Sequence, residues 1–188
     1  MRKTISKLFR MERKLSKFSR KKINKKCYMI LYSKYQLEFL NSYWNNSSFR
    51  NIKDRKYEFA LLMNNEYNIT TKLLNWFEKE SGEILKHKNF HLTIHKYEIG
   101  HFFKKHIDAV ERGSKNRKYV VGFHINNNYK GGDYKLFNPD FIIDKTPGVP
   151  YMFTSDREHE ITKVTEGIRK SALIFINHED LIHKKSLV

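Results

Sequence analysis

The chain has 188 residues, 39% hydrophobic and 14% aromatic, and a formal net charge of +17. That composition excludes a disordered polyelectrolyte and leaves room for one domain with a substantial core. The single cysteine, Cys27, excludes an intrachain disulfide and a cysteine-rich zinc site, and fits a reducing, cytoplasmic compartment.

The positive charge is uneven. Residues 1–26 hold twelve Lys/Arg against one acid, Glu12. Such an arm is either a solvated segment or a contact for a polyanion, nucleic acid or an anionic membrane. Ile5, Leu8, Phe9, Leu15 and Phe18 recur in it at near-helical spacing, which also admits a surface-lying amphipathic helix or a transit segment. No apolar run reaches transmembrane length, and the N-terminus lacks a secretory apolar stretch.

Residues 27–188 read as one domain, with a helical part over about 33–88 and a β core over about 90–177. Leu37, Leu40 and Trp44 form a helical stripe that Asn45-Asn-Ser-Ser48 breaks. Ile69, Leu73, Trp76 and Phe77 form a second, ending near Ser81-Gly82. Past Phe90 the period changes to two. His91–Tyr97, Tyr119–Ile125 and Ala172–Ile176 alternate as strands do. Turn signals separate them at Gly100, Gly113-Ser114, Gly131-Gly132, Asn138-Pro139 and Pro147-Gly148. The fold class is α+β, mainly β: a double-sheet jelly roll buttressed on one sheet by N-terminal helices.

His-x-Asp occurs twice, at His106-Ile107-Asp108 and His178-Glu179-Asp180. Positions i and i+2 of a strand share a face, so such a pair can offer an imidazole and a carboxylate to one point. A second histidine from a distant strand completes a facial triad that leaves positions open on iron(II). His159 suits that role beside the strand-like Glu160–Val164. His178 lies past the last predicted strand in a charged tail, with no further strand to supply a partner, and reads as a solvated terminus. Ten residues beyond His159 stands Arg169, whose rigid fork matches a carboxylate, with Ser171 on the same strand face to add a hydroxyl.

Tyr97-Glu-Ile-Gly-His-Phe-Phe-Lys-Lys-His-Ile-Asp108 resembles the Tyr-x-x-Gly-(x)5-His-x-Asp element of prolyl 4-hydroxylase-like 2-oxoglutarate oxygenases. Tyr119–Asn126 with Gly131-Gly132-Asp133 resembles their next strand and its Gly-Gly turn, and His159 to Ser171 their second histidine and basic residue. The likeness runs over residues 90–176. It implies a double-stranded β-helix, with iron(II) on His106, Asp108 and His159, 2-oxoglutarate and dioxygen as cosubstrates, and ascorbate as a supporting reductant. It also implies hydroxylation of a C–H bond with release of succinate and CO2, and places Tyr97 on the 2-oxoglutarate. The collagen-type members carry Lys where this chain has Arg169, which argues against a collagen-like substrate. Retention of Asp108 argues for hydroxylation over halogenation.

The expected substrate is a prolyl or other side chain of a protein. A small molecule or a nucleobase is the alternative within the same chemistry, and Phe175 stands where nucleobase demethylases usually show a further arginine. A non-catalytic, basic nucleic-acid-binding protein is the rival from another class, but it gives no reason for the triad and Arg169 to occur together. Phe123 and Tyr151 read as packing, and His95, His101 and His124 as neutral structural or surface residues. Substrate selection is expected in the Asp108–Tyr119 loop and the 45–66 region.

Overall fold

A computed structural model describes residues 30–43, 47–63, 65–110 and 116–182; the basic arm at 1–26 lies outside them. Helix α1 spans Lys34–Ser42. Ser33 caps it: its Oγ accepts from Gln36 N–H at 3.3 Å, while Gln36 Oε1 accepts from Ser33 N–H at 3.1 Å. Helix α2 spans Ile69–Ser81 and buries Ile69, Leu73, Leu74 and Phe77; of the predicted stripe Trp76 is only partly buried, and Leu74 is added. It ends at Gly82, whose N–H donates to Glu78 O at 3.0 Å.

The expected helical stretch at 33–88 is corrected between these helices. An antiparallel hairpin occupies it, β1 (Ser48–Ile52) and β2 (Arg55–Leu62). β1 is exposed throughout, so no apolar alternation marks it in the sequence.

Ten further strands follow: β3 (Leu92–Tyr97), β4 (Phe102–His106), β5 (Arg117–His124), β6 (Tyr129–Gly131), β7 (Tyr134–Leu136), β8 (Phe141–Ile142), β9 (Pro150–Thr154), β10 (His159–Ile161), β11 (Val164–Gly167) and β12 (Arg169–Asn177). They run antiparallel in the order β8-β7-β10-β4-β2-β3-β12-β5-β9, with β1 beside β2 and a separate β6–β11 pair. β2 joins two lobes. Its residues 58–62 pair with β3 while 55–56 pair with β4. The lobes curl together, so that the Tyr134 ring of β7 lies 5.6 Å from that of Tyr151 on β9. This is the jelly roll read from the sequence.

Two apolar clusters explain the alternation. Ala172, Ile174 and Ile176 of β12 pack with Ile94, Val121, Phe123 and the α2 residues on the helix side. Leu173 joins Tyr97, Val120, Phe153 and Ile161 between the lobes. A strand covered on both faces still keeps a period of two, because its faces meet different partners.

Candidate metal centre and carboxylate pocket

Antiparallel register brings two distant histidines together. His159 on β10 is the cross-strand partner of His106 on β4, and their rings lie 4.1 Å apart. Asp108 follows the end of β4 and opens a 3-10 turn over Asp108–Val110. The pair thus shares a face through a strand end and a turn, rather than through a continuous strand. His106 Nε2 is 3.5 Å from Asp108 Oδ1, and His159 Nε2 is 3.6 Å from Oδ2. The three ligand atoms all lie within 4.8 Å of one another.

Both imidazoles are held in the tautomer a metal requires. His106 Nδ1 meets Lys104 O at 2.7 Å, and His159 Nδ1 meets Arg157 O at 2.9 Å. A carbonyl only accepts, so each Nδ1 carries the proton, and each Nε2 is the nitrogen left facing Asp108. Rings fix their planes. Phe103 stacks on His106 at 3.7 Å, and Phe153 meets His159 edge-on at 5.1 Å. Burial alone would raise the Asp108 carboxyl, but His106, His159 and the Arg117 guanidinium, 3.7 Å from Oδ1, hold it below the usual carboxylate range. Two imidazoles and one carboxylate make a donor set suited to iron(II).

The same cavity holds every site residue named from the sequence: Tyr97, His106, Asp108, His159, Arg169 and Ser171. Arg169 is only 1% exposed, although an arginine is rarely so buried. Its Nη1 donates to Ser171 Oγ at 2.8 Å, while Nε and Nη2 have no hydrogen-bond partner. Tyr97 lies under the guanidinium, ring centroid 5.0 Å from Cζ, and Tyr134 flanks it at 5.7 Å. Burial pushes the Tyr97 hydroxyl far above its ordinary range, so it is a neutral donor. A buried cation with two unused donors fits a carboxylate entering the cavity.

Sequence reasoning missed several walls of the site. His95 lines the cavity; burial and then the charge of Arg169 push it down to about 3, so it is neutral. Its i, i+2 relation to Tyr97 was the available signal. Tyr134 and Arg117 had none, since their positions depend on strand register. The reading of His178-x-Asp180 as solvated is corrected in part. His178 is exposed, but Asp180 is buried: its Oδ2 accepts from Asn177 N–H at 2.7 Å and its Oδ1 lies 3.5 Å from His87 Nε2. The decoy carboxylate is a capping group.

The Gly131-Gly132 turn behaves as expected. Both residues have positive φ, and a Cβ on Gly131 would sit 2.1 Å from Lys163 O.

Comparison with known proteins agrees with this geometry. Residues 92–177 match the model of the 2OG-Fe(II) oxygenase superfamily. No curated protein matches the chain in sequence. The structure resembles a 2OG-Fe(II) family oxidoreductase from Burkholderia pseudomallei at TM-score 0.63 and 11% identity, over 82% of this chain and 85% of that one. It resembles the viral collagen prolyl hydroxylase of Paramecium Bursaria Chlorella virus-1, solved with 2OG, at TM-score 0.58 and 15% identity, over 78% and 91%. A Trichoplax adhaerens prolyl hydroxylase, solved with a hypoxia inducible factor peptide fragment, gives TM-score 0.58 and 16% identity over 78% and 77%. At such identities the structures speak for the fold, while the family match and the triad speak for the chemistry. Among the described residues no helix is long and apolar enough to cross a membrane. Residues 92–177, which match the 2OG-Fe(II) oxygenase superfamily, contain the triad and Arg169, and the chain is a dioxygenase that takes iron(II), 2-oxoglutarate and dioxygen.

Proposed function

We propose that this enzyme hydroxylates a C–H bond of a protein side chain, prolyl or related, with His106, Asp108 and His159 as the iron ligands and Arg169 as the anchor of 2-oxoglutarate. The observation that carries the reading is one cavity containing three converging ligand atoms and a buried guanidinium with two unused nitrogens. Iron(II), when bound, supplies the redox chemistry by which 2-oxoglutarate, dioxygen and R–H become succinate, CO2 and R–OH. The protein's part is to bind and orient. Arg169 receives the distal carboxylate, and Ser171 fixes the guanidinium plane. Tyr97 adds a neutral hydroxyl beside it. Phe103, Ile161, Leu173 and Phe175 line the rest of the cavity and exclude water.

The peptide substrate is supported by relatives in fold, one solved with a hypoxia inducible factor peptide and another described as a collagen prolyl hydroxylase. Arginine at position 169 argues against collagen itself. Ascorbate keeps the iron reduced between turnovers in this reading. A cytoplasmic site of action is supported by the lone Cys27. Residues 1–26 are assigned as a polyanion contact, and their deletion should weaken DNA or RNA binding and flatten its salt dependence.

The assay needs no known substrate, because 2-oxoglutarate is also consumed without one in this chemistry. Purified protein with iron(II), ascorbate and 2-oxoglutarate in air is expected to release succinate. Output equal to that of a His106→Ala control would contradict the reading.

A further inference from the structure

A strand with an open side presents a row of backbone N–H and C=O groups, which is a template for another chain. The large sheet ends in β8, β9 and the side strand β1. Two of these ends carry ordinary protection. β8 has only two residues, and β9 begins at Pro150, which has no N–H to offer. β1 differs. Its five residues, Ser48-Phe-Arg-Asn-Ile52, include no proline and are all exposed. Among the described residues it pairs with β2 alone. Phe49 and Ile52 are 51% and 54% exposed, one on each face of the strand. None of the five lines the cavity that holds the triad.

Charge limits what can cover this edge. The hairpin from Ser48 to Phe59 carries Arg50, Lys53, Arg55 and Lys56 against Asp54 and Glu58. Both acids are already engaged by lysines of neighbouring strands. Asp54 Oδ1 lies 3.3 Å from Lys104 Nζ, and Glu58 Oε2 lies 2.8 Å from Lys96 Nζ. Arg50 stands at the centre of β1, its guanidinium 5.5 Å from the Phe59 ring. A second copy of the chain is therefore a poor occupant. Antiparallel self-pairing over all five residues sets Arg50 directly against its own equivalent, and like charges so opposed repel. A nucleic acid would answer the charge but cannot continue a backbone ladder. A peptide with a carboxylate opposite Arg50 satisfies both, and the exposed Phe49 beside it favours an apolar neighbour in that peptide.

We propose that β1 is a docking edge for a partner protein, which adds an extended acidic segment to the sheet as a strand, with a carboxylate opposite Arg50 and apolar side chains alternating with it. Main-chain hydrogen bonds supply the attachment, and the alternate side chains supply the selection.

The test uses the full chain and a fluorescein-labelled heptapeptide, Glu-Val-Glu-Val-Glu-Val-Glu, beside its counterpart with Lys for Glu, followed by anisotropy at low salt. Arg50→Glu is expected to weaken the acidic peptide about fivefold and to strengthen the lysine peptide. Two further acidic peptides carry N-methyl groups, one at every Glu and the other at every Val. A strand added at an edge uses the N–H groups of one side only, so one of these peptides should lose binding and the other keep it. Arg50→Glu should melt within about 2 °C of the wild type, as a surface change. Loss of binding by both methylated peptides, or by neither, would overturn the proposal. So would an acidic-peptide affinity unchanged in Arg50→Glu, which would assign the binding to the cationic residues 1–26. A wild-type dimer that Asn51→Pro dissolves would also overturn it and give the edge to a second copy.

Discussion

Arg169 is buried at 1% exposure with one nitrogen bonded and two unused, which is a strained state for a cation. Its Nη1 donates to Ser171 Oγ at 2.8 Å. Ser171→Ala removes that acceptor and leaves another guanidinium nitrogen unsatisfied. The expected cost is about 1–3 kcal/mol in urea denaturation, partly recovered by saturating 2-oxoglutarate. An unchanged midpoint would mean that Arg169 is satisfied by another route. His106 and His159 show the same economy in reverse. Each ring nitrogen away from Asp108 is already bonded to a carbonyl, so only the inward nitrogens remain to take a ligand.

At the scale of elements, α2 is a buttress and not part of the site. Phe77→Ala should cost about 3–5 kcal/mol of stability, as a fully buried ring, while leaving iron stoichiometry unchanged at permissive temperature. Loss of iron binding from a still folded variant would contradict that division. Strands β3, β5 and β12 were legible in the sequence because six to nine residues alternate between two distinct apolar clusters. The β1–β2 hairpin was not, for two physical reasons. β1 buries nothing, and β2 buries only Tyr57, Ala60 and Leu62, too unevenly spaced to display a period of two. Tyr57 packs between the lobes, while Leu62 packs on the helix side. β6, β7, β8 and β10 have two or three residues each, too few to display any period. The site was more legible than the hairpin, because its residues lie at short spacings or on long strands. Its aromatic walls and Arg117 were not, since register between distant strands places them.

Across the whole molecule, two neutral histidines, His124 buried and His95 partly buried in the cavity wall, tie stability to pH. His95 is pushed down to about 3 by burial and by Arg169, and His124 is pushed well below its ordinary range by the same two causes and by Lys145. The unfolded chain protonates these groups below pH 6.5 and the folded chain does not, so the unfolded state binds more protons in that window. Stability is complete above pH 6.5 and declines as pH falls toward about 3, with Asp108, held low in the fold, adding to the decline only in the acidic part. The melting temperature should fall from pH 7 to pH 5, each histidine contributing at most about 1.4 kcal/mol per pH unit. A rise over that interval would contradict neutral burial. The central claim is that one of two His-x-Asp pairs, joined by a histidine brought across from β10, holds iron. Equilibrium dialysis against iron(II) under anaerobic conditions tests it directly. One iron per chain is predicted for the wild type and for His178→Ala, and none for His106→Ala, Asp108→Asn or His159→Ala. Iron retained by all three triad variants, or lost in His178→Ala, would contradict the account.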